Sequence, residues 1–118
     1  MNNFEYYNPV RVLFGAGELK RIGEEAKKLG KNICLVSYKE LNFLQPLMDK
    51  IERLLKEEGL NVFTFYEAEP NPEITTIALG ADYCRTVQAD VVIGVGGGSA
   101  MDAAKAIAAG VYLSLIHI

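Results

Sequence analysis

Three consecutive glycines, Gly96, Gly97 and Gly98, separate the apolar run Val91-Val92-Ile93-Gly94-Val95 from an Ala-rich stretch that opens with Ser99. Glycine carries no Cβ, so backbone N–H groups in such a turn can come within reach of a ligand. A helix starting behind the turn directs its unpaired N–H groups and the positive end of its dipole at the same point. An anion belongs there, and the pyrophosphate of a dinucleotide is the one expected. A plain strand-to-helix connection needs only one glycine. Three of them, followed by Ser at the expected N-cap, favour the phosphate. The spacing is not the dinucleotide fingerprint G-x-G-x-x-G, because counting from Gly94 and Gly96 puts Ser99 at the third glycine; nor does a Gly-Lys-Ser/Thr triplet mark a Walker A loop. One helix-dipole contact to an exposed anion is worth only about 0.3–1 kcal/mol, so several donors must converge.

Other side chains are expected beside the same ligand. Asp102 stands three residues after Ser99. It is either the capping-box partner of Ser99 or a group facing the nicotinamide or its ribose, since a carboxylate repels a bare phosphate. Lys105, nearly a turn further on, reads most simply as pairing along the helix. Ser37-Tyr38-Lys39-Glu40 follows the apolar run Ile33-Cys34-Leu35-Val36. In dinucleotide folds a carboxylate in that slot takes the ribose hydroxyls. Here Tyr38 fills it, either stacking on adenine or lying in an exposed loop, with Lys39 placed to meet a 2′-phosphate. Asn71 sits between Pro70 and Pro72, and each Pro keeps the residue before it extended. Asn71 is thus either turn chemistry or a rigidly presented amide at the cleft. Cys34 and Cys84 read as small buried apolar residues of a reducing compartment.

Positioning these groups requires alternating strands and helices. Val10-Arg11-Val12-Leu13-Phe14 reads as a strand, and Glu18 to Leu29 carries Leu19, Ile22, Ala26 and Leu29 at helical spacing up to the stop at Gly30. Ile33 to Val36 is a continuous apolar run, as in a strand covered on both faces. Phe43 to Glu58 is a second amphipathic helix, Val62-Phe63-Thr64-Phe65 a buried strand, and Pro72 to Gln88 a third helix. Val91 to Val95 and then Ser99 to Ala109 close the series. The order predicts an α/β fold: a Rossmann-like parallel sheet with helices on both faces. Right-handed crossovers gather the loops after the strands along one sheet edge, where open α/β sheets bind ligands. The chain has 118 residues, the size of one domain. Its net charge of −3, with no block of one sign, weighs against nucleic acid as a partner. No apolar run has the length of a membrane span, and Met1-Asn2-Asn3-Phe4-Glu5 does not begin a signal peptide. A cytoplasmic protein is expected.

Residues 113–118, Leu-Ser-Leu-Ile-His-Ile, read back codon by codon as the end of a transposase-type sequencing adapter. They are expected to be a non-native tail, the alternative being a genuine short apolar C-terminal strand, on a native part, residues 1–112, that forms an incomplete N-terminal dinucleotide-binding domain. His117 is accordingly given no chemistry.

Three segments resemble the iron-containing (group III) alcohol dehydrogenase family, with butanol-dehydrogenase-like members closest in pattern. They are the opening Asn8-Pro9-Val10-Arg11-Val12-Leu13-Phe14-Gly15-Ala16-Gly17, the corner Glu69-Pro70-Asn71-Pro72-Glu73, and Gly96-Gly97-Gly98-Ser99 through Asp102 and Lys105. The resemblance implies NAD or NADP as cofactor, with Gly97, Gly98 and Ser99 on the pyrophosphate and Asn71 and Asp102 toward the nicotinamide. It implies a second, all-helical domain, absent from this chain, that holds a divalent metal, iron or zinc. It also implies small alcohols or aldehydes as substrates, a homodimer for the full-length enzyme and an inactive fragment. The glycine loop is shared with glycerol dehydrogenases and dehydroquinate synthases, and a stand-alone nucleotide-binding module would carry it too. The Pro-Asn-Pro corner and the opening strand set the chain apart from the lyases.

Overall fold

A computed structural model of the chain describes residues 10–12, 19, 21–68, 74–110 and 114–117. The elements follow in the order β1 (Val10–Val12), α1 (Ile22–Leu29), β2 (Asn32–Tyr38), a 3-10 turn (Asn42–Leu44), α2 (Gln45–Glu57), β3 (Asn61–Ala68), α3 (Ile74–Thr86), β4 (Val91–Gly94), α4 (Gly98–Gly110) and β5 (Ser114–His117). The strands form one sheet in the order β1-β5-β4-β2-β3, and every neighbouring pair is parallel. The expected α/β architecture with a parallel sheet is what the chain adopts.

The central strands show why a continuous apolar run was needed. Successive residues of a strand point to opposite faces, and both faces of β2 and β4 are covered. Ile33, Leu35, Val91, Ile93 and Val95 enter one core with Ile22 and Ala26 of α1 and Met48, Ile51 and Leu55 of α2. Cys34, Val36 and Val92 enter the other with Cys84 of α3 and Ala100, Ala103, Ala104 and Ile107 of α4. The second core is built largely of alanine, so α4 lies close on the sheet. A Cβ added to Gly94 would lie 2.7 Å from the Ala104 Cβ. Both cysteines are free thiols inside this core, as expected.

The path of the chain reverses once. From β2 it runs through α2 to the edge strand β3, then returns through α3 past β2 to β4 and onward through α4 to β5. The two crossovers leave on opposite faces, so the carboxyl ends of β2 and β4 border the point where the strand order switches. Open α/β sheets bind ligands in that crevice. At the opposite edge the same strands are clamped by Asp90, whose Oδ2 accepts from the Lys31 and Asn32 amides at 2.9 Å each.

Several boundaries differ from expectation. Strand β2 continues through Ser37 and Tyr38, so Tyr38 ends a strand rather than lying in a loop. Strand β3 is the sheet edge and is mostly half-buried or exposed, because among the described residues no further strand lies beyond it. Ala78 of α3 is exposed, although it lies one residue after the partly buried Ile77. Ser114–His117 form a fifth strand between β1 and β4, with Leu115 opposite Val92 and Ile116 fully buried. Backbone pairing is indifferent to the origin of these residues: a short apolar, β-prone segment fits beside a strand edge that is otherwise unpaired.

Candidate functional site

The crevice between β2 and β4 is built from backbone first. Val36 lies opposite Gly94, and beyond this pair the Tyr38 ring packs against Gly96. The amide of Val95 donates to the Val36 carbonyl at 3.0 Å. The hydroxyl of Ser37, itself fully buried, donates to the Val95 carbonyl at 2.8 Å. Both bonds fix the chain immediately before the glycines. Gly96 then turns at φ +130°, a conformation open to glycine. A Cβ there would lie 2.6 Å from Cε2 of Tyr38 and 3.1 Å from the Ala100 Cβ. The Gly97 amide donates to the Tyr38 hydroxyl at 2.7 Å.

The Gly97 carbonyl accepts from the Met101 amide at 3.0 Å. Gly97 is therefore the N-cap, and α4 starts at Gly98. Ser99 was expected at the N-cap and is instead the second helical residue. Glycine also serves at N-caps, and the Gly96–Gly97 turn sets the start earlier. The amides of Gly98, Ser99 and Ala100 have no acceptor within the helix, because the first-turn donors never do. These donors and the positive helix end face the mouth of the crevice, which is what an anion needs.

The structure brings Tyr38, Gly96, Gly97, Gly98 and the backbone of Ser99 to one place. Asp102 falls in the second turn of α4, exposed, so it is not the third helical residue that a capping box requires. Lys105 is exposed as well, and among the described residues it forms no ion pair with Asp102. Asn71 lies outside the described residues. Lys39 is tied to the edge strand: its amide donates to the Ala68 carbonyl at 3.4 Å and its Nζ lies 4.0 Å from Glu67 Oε1. Ser37 had no assigned role in the sequence reading. Its signal was a hydroxyl directly after four apolar strand residues, where a buried polar group needs a partner.

Among the described residues no group of three or more His, Cys, Asp or Glu is placed to hold a metal ion. Cys34 and Cys84 belong to the core: a hydrogen bond between the two thiols and burial hold Cys34 protonated well above the usual thiol range. Among the described residues no helix is long and apolar enough to cross a membrane.

A family model described as iron-containing alcohol dehydrogenase matches residues 9–116. The probable NADH-dependent butanol dehydrogenase 2 of Bacillus subtilis (strain 168) is 43% identical over 111 residues, which cover 94% of this chain and 28% of that protein. NADH-dependent butanol dehydrogenase A of Clostridium acetobutylicum is 40% identical over 112 residues, 95% of this chain and 29% of that protein. Among solved structures, NADH-dependent butanol dehydrogenase A of Thermotoga maritima has a TM-score of 0.76 at 32% identity, covering 93% of this chain and 28% of that one. The chain spans less than a third of the length of the curated relatives it matches.

Proposed function

This chain belongs to the iron-containing alcohol dehydrogenase family, and we propose that it forms the part of such an enzyme that binds a nicotinamide dinucleotide. The observation that carries this reading is the Gly96–Gly98 turn at the switch point, with the first-turn amides of α4, which have no acceptor within the helix, behind it. Gly96, Gly97, Gly98 and Ser99 receive the pyrophosphate, with Tyr38 beside them, while Asn71 and Asp102 lie toward the nicotinamide. Relatives whose names carry NADH dependence support NAD(H), and NADP(H) is the competing ligand. When bound, the nicotinamide takes hydride from a small alcohol or returns it to an aldehyde. The residues of this chain hold and orient that cofactor.

The divalent metal, iron or zinc, that the resemblance implies finds no donor set among the described residues. No step of the chemistry is therefore assigned to a metal held here, and the chain alone is expected to turn over no alcohol. The complete enzyme is proposed to act as a cytoplasmic homodimer. We also propose that residues 1–112 are native and form an incomplete dinucleotide-binding domain, and that residues 113–118 are adapter-encoded. An independent clone carrying the same six codons after Tyr112 would overturn that point.

Calorimetric titration of the chain with NADH, NADPH and ATP tests the main reading. NADH or NADPH should bind in preference to ATP. Gly97→Val puts a side chain where even a Cβ would lie 3.0 Å from the Tyr38 hydroxyl, and should weaken the dinucleotide at least tenfold, about 1.4 kcal/mol. Unchanged affinity in a folded Gly97→Val chain, or preference for ATP, overturns the assignment.

A further inference from the structure

We propose that the Tyr38 hydroxyl is a built-in competitor for the anion site, a latch that an incoming pyrophosphate must displace from the Gly97 amide. The inference rests on the dinucleotide reading above and deepens it. The Gly97 N–H is the donor at the N-cap of α4, closest to the turn, and it is already engaged by a neutral oxygen at 2.7 Å. A single N–H directs its proton along one line, so a phosphate oxygen and the tyrosine oxygen cannot both hold it at full strength. The ring is packed over the same turn, since a Cβ on Gly96 would fall 2.6 Å from Cε2 and 3.1 Å from Cζ of Tyr38. Tyr38 thus occupies the turn through both its ring and its hydroxyl.

A phosphate oxygen is charged and makes the stronger hydrogen bond of the two, so it wins the amide, but at the cost of the bond it replaces. Removing only the hydroxyl should release that cost. The Phe ring of Tyr38→Phe keeps the packing on Gly96 while the Gly97 amide is freed. One neutral hydrogen bond corresponds to about a two- to tenfold change in affinity.

The test compares the unmodified chain with Tyr38→Phe, using calorimetry with NADH, inorganic pyrophosphate and adenosine. Tighter binding of NADH and pyrophosphate to Tyr38→Phe by about two- to tenfold, with adenosine unchanged, supports the latch. Equal or weaker binding of pyrophosphate by the variant overturns it and leaves the dinucleotide reading standing, because the unmodified chain still binds. Absence of NADH and pyrophosphate binding by both chains overturns the dinucleotide reading and the latch with it. Amide hydrogen exchange gives a check without ligand: Gly97 should exchange faster in folded Tyr38→Phe, and equal protection overturns the latch.

Discussion

Ser37 shows how much one hydroxyl can fix. Its bond to the Val95 carbonyl is buried and joins β2 to the segment that enters the glycine turn. Ser37→Ala leaves that carbonyl without its donor, which should lower stability by about 1–3 kcal/mol. Urea unfolding should show the loss, and nucleotide affinity should fall with it because the turn loses one of the two bonds that tether it. At this scale the sequence was informative wherever a residue's own chemistry decided its role. Gly96 had to be glycine because its backbone adopts φ +130°. The pairing of Tyr38 with the Gly97 amide was hidden, since it joins residues far apart in the chain that meet only through the sheet register. The start of α4 was misplaced for a related reason. Ser is a strong N-cap former, but the turn set by Gly96 and Gly97 moved the cap to Gly97.

Elements were legible where their periodicity was driven by burial on a known number of faces. The runs Ile33–Val36 and Val91–Val95 are apolar at every position except Gly94, and alternate residues do enter two separate cores. The run at Val62 looked the same in sequence, yet β3 is the edge strand and its side chains are largely half-buried. Position in the sheet, which composition does not encode, made the difference. The turn before β4 carries a second restraint on these elements. Asp90 accepts two amides at the start of β2, while its own amide donates to the Asn32 carbonyl at 2.7 Å. Asp90→Ala keeps the backbone bond and loses both carboxylate bonds. A loss of about 1–2 kcal/mol is expected, moderated because the site is exposed to water. Thermal unfolding of the variant checks it, and nucleotide affinity should hold, since the change lies at the far edge of the sheet.

The whole molecule has an alkaline weakness that follows from a half-buried phenol. Tyr66 donates to Glu52 Oε2 at 3.2 Å. Burial first, and then the Glu52 carboxylate, push its hydroxyl above the ordinary tyrosine range. As pH rises past about 10, the unfolded chain gives up this proton before the folded one does. The folded state then binds more protons, so stability is full below that pH and falls above it. Denaturation curves at pH 9 and above should show the decline, and Tyr66→Phe should flatten it. The parallel three-layer plan was legible at this scale from the alternation of strands and helices, and so was the ligand edge. The strand order was less so, because nothing in a short apolar run such as residues 114–117 says between which strands it inserts.

Among the described residues, strand β1 pairs with no strand other than β5, with Val10 opposite Leu115. Nearly the full contour of the polypeptide must be looped shut before that contact forms, and long loops are entropically costly to close. Strands β2, β3 and β4 join through much shorter crossovers and supply most of the strand residues of both apolar cores. Assembly should therefore begin in the middle of the chain and end with the docking of its two extremities, the most non-local and slowest step available to this topology.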